Sequence, residues 1–305
     1  MEISAKAVLA SIGKENGVKI VTMELEYPRV VLAEFNTHRV FSRNGQSSRA
    51  VPFERMLEAL RANYHSPLRW LKNQPGMVAT VAMDSAEEAL ADTIWGEAME
   101  DAIFHATRLN NIRASKQYVN RLLEPWLMTK TLVTSTRWAN FFKLRDHKDA
   151  LPEFAHLAAL MKEVYDNAEF IERSAIEPYG KWHMPYITAL DWDDVRETII
   201  EPKVQEPVGE TLGLLPGLGT LITQSVARCC RLSYKTFDSD KRSSIEQDIA
   251  TFKKLATDPL HASPMEHVAF PLGDARFDPA ITGNFHGFAQ FRKLMPNEAV
   301  EEAVF

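Results

Sequence analysis

Between residues 18 and 35 apolar and polar positions alternate, with Val21, Met23, Leu25 and Tyr27 on one side and Thr22, Glu24 and Glu26 on the other. A period of two is what a strand with one buried face requires. Pro28 interrupts the run and Val30-Val31-Leu32 resumes it, so the stretch reads as strands leading into a polar loop. Pro52 then opens a short helix with Phe53, Met56, Leu57, Leu60 and Tyr64 on one side. Asn73-Gln74-Pro75-Gly76 is a turn. A long helix is predicted from about Ser85, with Ala89, Ile94, Ala98, Ala102, Ala106 and Leu109 at packing positions, and further helices over 115–123, 126–143 and 151–170. Residues 201–219, rich in Pro, Gly and Glu, have little periodicity and are the best linker candidate. Beyond them 220–234 begin a second part, 242–257 read as an amphipathic helix and 267–272 as a strand-like piece. The pattern is mixed α and β, with helix dominant.

Composition narrows the class. A chain of 305 residues with 45% hydrophobic and 25% charged content can bury a sizeable core and is ordinary for a globular protein. The net charge of −6 leaves no global field to draw in nucleic acid polymers or acidic lipid, although a local arginine cluster can still bind a nucleotide. Two adjacent cysteines, Cys229 and Cys230, make no disulfide framework and suggest a reducing compartment. Glu2 and Lys6 interrupt the first apolar residues, which argues against a signal peptide, and no apolar run is long enough to span a membrane. The expectation is a cytoplasmic protein.

The candidate chemistry begins with Thr37-His38-Arg39, followed by Ser42, Asn44, Ser47 and Arg49. Arginine forks, hydroxyls and an amide after a strand suit a phosphate joined to a hydrogen-bonding heterocycle, as in a nucleotide. The same group could grip phosphate in a protein that is not an enzyme. A second group comprises Arg121, Arg137, Asn140 and Arg145. On a helix Arg137 and Asn140 would share a face with Arg145 about two turns on. The bland alternative is a solvated face paired with Asp146, Asp149 and Glu153, against which Trp138, Phe141, Phe142 and Leu144 point to partial burial.

A third group is His261-Ala262-Ser263-Pro264-Met265-Glu266-His267. The histidines are six apart with Pro264 between them, unlike the four-residue spacing of a zinc-binding helix, so no metal site is expected. Glu266 is better placed to accept hydrogen bonds from a ligand at a strand start. Arg228 and Arg231 flank Cys229-Cys230 and could activate a thiol, but packing in a helix from near Thr220 is the favoured reading. Ser47 and Ser48 lack a nucleophile elbow, and neither a P-loop nor a dinucleotide fingerprint is present. A flavin here would need a non-Rossmann site.

Together these motifs resemble the flavin-dependent thymidylate synthase family. Glu34-Phe35-Asn36-Thr37-His38-Arg39, seven residues, then Ser47-Ser48-Arg49 is similar to its Arg-His-Arg signature with a later serine and arginine. Arg121 ahead of Pro125, and Arg145 in Asn140-Phe141-Phe142-Lys143-Leu144-Arg145, resemble its later arginines. Ala227–Tyr234 is like its Ala-Arg-x-Ser element, and His261–His267 like its His-x-Thr-Pro-Phe-Glu-His. These two elements normally come first, so the motif order resembles a circular permutation, and virus-encoded (bacteriophage) members look most similar. Thr37 replaces the first arginine, Gly45 replaces the glutamate that usually precedes the motif serine, and Asp149 stands where a histidine is usual, with His147 nearby. Arg292 or Glu298, near the end of the chain, is expected to restore what Thr37 and Gly45 omit.

The resemblance implies an α+β fold, a helical bundle packed on a mainly antiparallel sheet. Residues 1–200 and 220–305 would complete one core across the 201–219 linker, with 65–115 a peripheral helical insertion. It implies a homotetramer with shared active sites, FAD as cofactor, and NADPH and methylenetetrahydrofolate as co-substrates in converting dUMP to dTMP. Glu34, Ser47, Arg49, Arg121 and Arg145 would bind the nucleotide, Arg145 polarising the pyrimidine and Arg49 and Arg121 holding phosphate. His38, Arg39, Asn44, Arg137, Asn140, Asp149, Ser263 and Glu266 would line the flavin site. Two alternatives stay open: a related methylase or hydroxymethylase acting on dUMP or dCMP for modified viral DNA, and a nucleotide-binding protein without catalysis.

Overall fold

The computed structural model describes residues 2–76, 79–200, 217–232, 242–257, 259–273, 277–296 and 298. Five strands, β1 (Ser4–Gly13), β2 (Lys19–Pro28), β3 (Ser42–Gly45), β4 (Met128–Ser135) and β5 (Ile171–Arg173), form one sheet in the order β3-β4-β2-β1-β5. Neighbours are antiparallel except β1 and β5, which run parallel. β6 (Ala269–Pro271) and β7 (Phe288–Gln290) make a small antiparallel pair. The helices are α1 (Leu32–Phe35), α2 (Phe53–Ala62), α3 (Ser85–Asn111), α4 (Lys116–Val119), α5 (Ala139–Arg145), α6 (Pro152–Asp166), α7 (Ala189–Ile200), α8 (Leu218–Arg231), α9 (Ile245–Leu255) and α10 (Pro279–Thr282). Among the described residues no helix is long and apolar enough to cross a membrane.

Several sequence expectations need correction. Residues 128–135, expected inside a helix over 126–143, are strand β4, paired between β3 and β2. Its β-branched Thr129, Thr131, Val133 and Thr134 favour a pleated surface. All four are buried, so no polar alternation revealed the strand. Val30–Phe35 continue as a short 3-10 turn and α1, not as a strand. β1 and β3 were not anticipated. The expected helix at 115–123 is α4 followed by a 3-10 segment, Asn120–Trp126. Of the linker candidate, 201–216 lie outside the described residues; Gly217 takes a positive φ of 78° at the start of α8, which Leu218 and Gly219 begin.

The sheet is covered on both sides. On one, α5 and α6 place Phe141, Phe154, Leu157 and Met161 against Met23, Leu25, Tyr27 and Val133. On the other, segments from the second half of the chain pack through polar contacts as well as apolar ones. His183 pairs with Ala269 as an isolated bridge, and Asn16 Nδ2 donates to the carbonyls of Leu272 at 2.7 Å and Gly287 at 2.9 Å. Gly287 has φ +69°, and a Cβ there would lie 2.7 Å from Val18 Cγ2, so only glycine permits this approach. α8 is buried on nearly every face, from Leu218 through Cys230. The 65–115 region is not detached. Met99, Ile103 and Ala106 of α3 form one core with Phe53, Met56, Leu60, Val119, Leu123 and Trp126, and so buttress the 3-10 segment that carries Arg121.

Candidate functional site

A polar cavity of about 480 Å³ opens beside the edge of the sheet, lined by Arg29, Arg43, Gly45, Gln46, Ser47, Ser48, Arg49 and Arg121, with Leu32, Asn36 and Thr131 completing it. The expected phosphate group, Ser47, Arg49 and Arg121, therefore comes together. Asn120 explains how: its buried Nδ2 donates to the carbonyls of Ser48 at 2.7 Å and Val51 at 2.9 Å, binding the Arg121 segment to the Arg49 segment. Ser48 Oγ donates to Glu124 Oε1 at 2.8 Å, and Arg29 Nε lies 3.1 Å from the same oxygen. Arg49 and Arg121 are exposed, and among the described residues no hydrogen bond or ion pair engages either fork. Two uncommitted guanidinium groups around one cavity are suited to an anion with several acceptor oxygens. Sequence reasoning missed Arg29, Arg43, Asn120 and Glu124; the Asn120-Arg121 pair was visible, but nothing in it showed that Asn120 reaches the 48–51 backbone.

Arg145, expected in the same group, stands with Glu34 and His38 instead and does not border this cavity. Its Nη1 donates to Glu34 Oε2 at 3.0 Å and its Nε to His38 Nε2 at 2.9 Å, and its guanidinium lies 4.7 Å from the Phe154 ring centre. The carboxylate it meets is thus Glu34, not Asp146, Asp149 or Glu153. Phe41, Phe141 and Phe154 surround the His38 ring at 5.9, 5.0 and 6.0 Å. Burial among them, followed by the charges of Arg145 and Arg43, pushes the His38 pKa down to about 4.

Residues 263–267 pack against β3 and α8. Asn44, buried on β3, donates to the Cys229 carbonyl at 2.7 Å, and Ser263 Oγ lies 3.5 Å from Asn44 Oδ1. Glu266 pairs with Arg292, while Glu298 is held by Arg292 at 2.9 Å and Lys293 at 2.9 Å. Neither Arg292 nor Glu298 lines the cavity that Gly45 borders, so they do not stand in there for the missing glutamate. Thr37 Oγ1 caps the Glu34 carbonyl at 2.7 Å.

His267 ends a buried hydrogen-bonded chain: Ser11 Oγ to His183 Nδ1 at 2.9 Å, His183 Nε2 to Thr22 Oγ1 at 2.9 Å, Thr22 to Thr134 at 2.7 Å, and Thr134 to His267 Nδ1 at 2.8 Å. Burial pushes His267 down to about 3 and His183 well below the usual imidazole range. Among the described residues no cluster of three or more His, Cys, Asp and Glu side chains could hold a metal ion.

Other expected residues are scattered. Arg39, Arg137, Asn140 and Asp149 are exposed. Arg137 precedes α5, its N–H donating to Ser135 Oγ at 3.0 Å, so it does not share a helical face with Asn140. Asp149 pairs locally with His147 at 3.6 Å. Cys229 and Cys230 are buried packing residues, and burial pushes the Cys229 thiol up. Arg228 is no activator: it forms a bidentate pair with Asp191 at 2.8 and 2.9 Å and reaches Asp248 at 3.1 Å, with Arg231 and Arg242 joining the network. Ser233 and Tyr234, the end of the Ala-Arg-x-Ser resemblance, lie outside the described residues.

Fold and cavity together define an α+β protein with an arginine-lined polar cavity. Residues 19–168, just under half of the chain, match the family model described as thymidylate synthase complementing protein. The match contains Thr37–Arg49, Arg121 and Arg145 and ends before the C-terminal motifs. No curated protein sequence matches the chain. Two similar solved structures are of a UMP/dUMP methylase PolB from Streptomyces cacaoi. The one bound with 5-Br UMP is 16% identical with a TM-score of 0.43, covering 54% of this chain and 88% of that one. The one bound with 5-Br dUMP is 15% identical with a TM-score of 0.46, covering 54% and 90%.

Proposed function

We propose that the chain is a flavin-dependent methyltransferase converting dUMP to dTMP, with methylenetetrahydrofolate as carbon donor and NADPH as reductant. The observation that carries this reading is the convergence of Ser47, Arg49 and Arg121 on one basic cavity beside the turn that bears His38. The two uncommitted forks would hold the phosphate, with Ser47 adding a hydroxyl. Arg145, oriented by Glu34 and by neutral His38, would donate to a pyrimidine carbonyl as negative charge grows there. In one chain the Arg145 cluster and the cavity are neighbouring groups of residues with Arg43 touching both, and in a homotetramer a second subunit would complete each such site.

FAD, when bound, would supply the redox chemistry that brings the transferred carbon to the methyl level. The residues fit such a group: Arg39, Arg137 and Asn140 are exposed donors suited to a pyrophosphate, and Asn44, Ser263 and Glu266 cluster where 263–267 pack on β3. Asp149 has the weakest place in this set. That packing also supports one core built from 1–200 and 220–305, with the motif order permuted.

The test is chromatography of the product from dUMP, methylenetetrahydrofolate and NADPH, using protein whose absorbance reports flavin. Thymidylate from yellow protein is the expected result; colourless protein that binds dUMP without turnover would overturn the reading. One observation favours a second reading. Gly45 leaves open space on the cavity wall where the family pattern has a carboxylate, which would suit another pyrimidine nucleotide or a hydroxymethyl product. The same chromatogram separates these products.

A further inference from the structure

Arg43 falls within the seven residues that separate Arg39 from Ser47, and the sequence motif gives it no role. Its Nη1 donates to the carbonyls of Phe35 at 2.8 Å and His38 at 3.0 Å. These two carbonyls also accept from the backbone of the same turn, Phe35 from His38 N–H at 3.2 Å and His38 from Phe41 N–H at 3.2 Å. One guanidinium therefore grips the 35–41 turn at both of its hydrogen bonds. The same side chain borders the cavity that holds Ser47, Arg49 and Arg121. Residues 43 and 45 are two apart on a strand and so face the same way. Gly45 accordingly leaves the wall beside Arg43 open, a Cβ there meeting only Thr131 Oγ1 at 3.5 Å and the Lys130 carbonyl at 3.9 Å.

Among the described residues Nε and Nη2 of Arg43 have no hydrogen-bond partner and remain available to an acceptor in the cavity.

We propose that Arg43 is a positioning residue for the reaction assigned above: it locks the His38 turn to the cavity wall, so that the Arg145–His38 pair and the phosphate-holding residues keep one relative geometry. The proposal rests on that reading of function, and the measurements below separate the two. In Arg43→Met the cavity keeps both uncommitted forks while the grip on the carbonyls is lost. Arg43→Lys keeps one charged donor.

The experiment compares the full-length wild type with both variants by amide hydrogen exchange and by steady-state kinetics on dUMP. In Arg43→Met the His38 and Phe41 amides are expected to exchange about tenfold faster or more, with the Met23 amide of β2 unchanged as the control. The kcat is expected to fall about tenfold while KM for dUMP moves by roughly threefold or less, and Arg43→Lys should recover part of both effects. Unchanged exchange at His38 and Phe41, or a rise in KM with kcat intact, would overturn the proposal. If Arg43→Met fails to fold, Arg43→Lys decides by the same two readouts. If the wild type does not methylate dUMP, the functional reading fails, whereas the exchange data still show whether Arg43 holds the turn.

Discussion

Arg145 Nε donates a 2.9 Å hydrogen bond to Nε2 of His38. A guanidinium can only donate, so this nitrogen carries the lone pair, the ring is neutral and its proton sits on Nδ1. The depressed His38 pKa of about 4 has the same origin, because burial and then the Arg145 charge oppose a second positive charge. Arg145→Ala is expected to lower turnover by at least ~100-fold while flavin stays bound. In the same variant the His38 titration should rise above its wild-type position, as followed by NMR. Near-normal turnover would remove Arg145 from the proposed chemistry.

Stability should depend on pH through buried imidazoles. His183 and His267 are fully buried with lowered pKa values, His267 at about 3, whereas in the unfolded chain both bind protons near the ordinary ~6.5. The unfolded state then holds more protons between those limits, so stability is complete above ~6.5 and declines as pH falls below it. Each histidine contributes a slope of up to ~1.4 kcal/mol per pH unit. Urea unfolding between pH 5 and 6.5, a window above most carboxylate titration, measures it. A flat profile would contradict the burial of these rings.

Gly45→Glu tests the cavity. A Cβ at this position would meet Thr131 Oγ1 at 3.5 Å, an ordinary contact. A carboxylate among Arg29, Arg43, Arg49 and Arg121 should weaken binding of dUMP about tenfold, ~1.4 kcal/mol. Calorimetric titration with dUMP would show it, and unchanged affinity would argue that the phosphate binds elsewhere.

The Arg228–Asp191–Asp248 network is structural. Asp191 and Asp248 are fully buried, and Arg228 nearly so. Asp191→Ala leaves a buried cation short of a partner and should destabilise the fold by about 3–5 kcal/mol. A loss below about 1 kcal/mol in denaturant titration would mean that Arg231 and Arg242 already rearrange to compensate.

Cys229→Ala should leave turnover within about twofold of wild type, since a buried thiol with a raised pKa is no nucleophile. A variant with turnover abolished but fold intact, by circular dichroism, would reopen the covalent route.

Some features were legible because their physics is local. The alternation of Val21, Met23, Leu25 and Tyr27 marked β2, and the Pro52-led apolar spacing marked α2. Ser47 and Arg49 were recognisable from residue type and spacing within a short loop. β4 was not, because a strand buried on both faces shows no alternation. Packing was the favoured reading of the Arg228–Arg231 segment, but the ion pairs of Arg228 were not legible because its partners Asp191 and Asp248 are distant in sequence.

By itself the sequence determined the chemical inventory: which side chains could grip a phosphate, where α3, α6 and β2 run, and which family the motifs resemble. Tertiary structure alone decided the grouping. It put Arg121 beside Arg49 through the Asn120 hydrogen bonds, set Arg145 with His38 and Glu34 outside that cavity, and gave Arg43 its grip on the turn. The physical reason is that local pattern encodes burial and backbone preference, whereas a site depends on directional bonds between segments that only the folded sheet brings within reach.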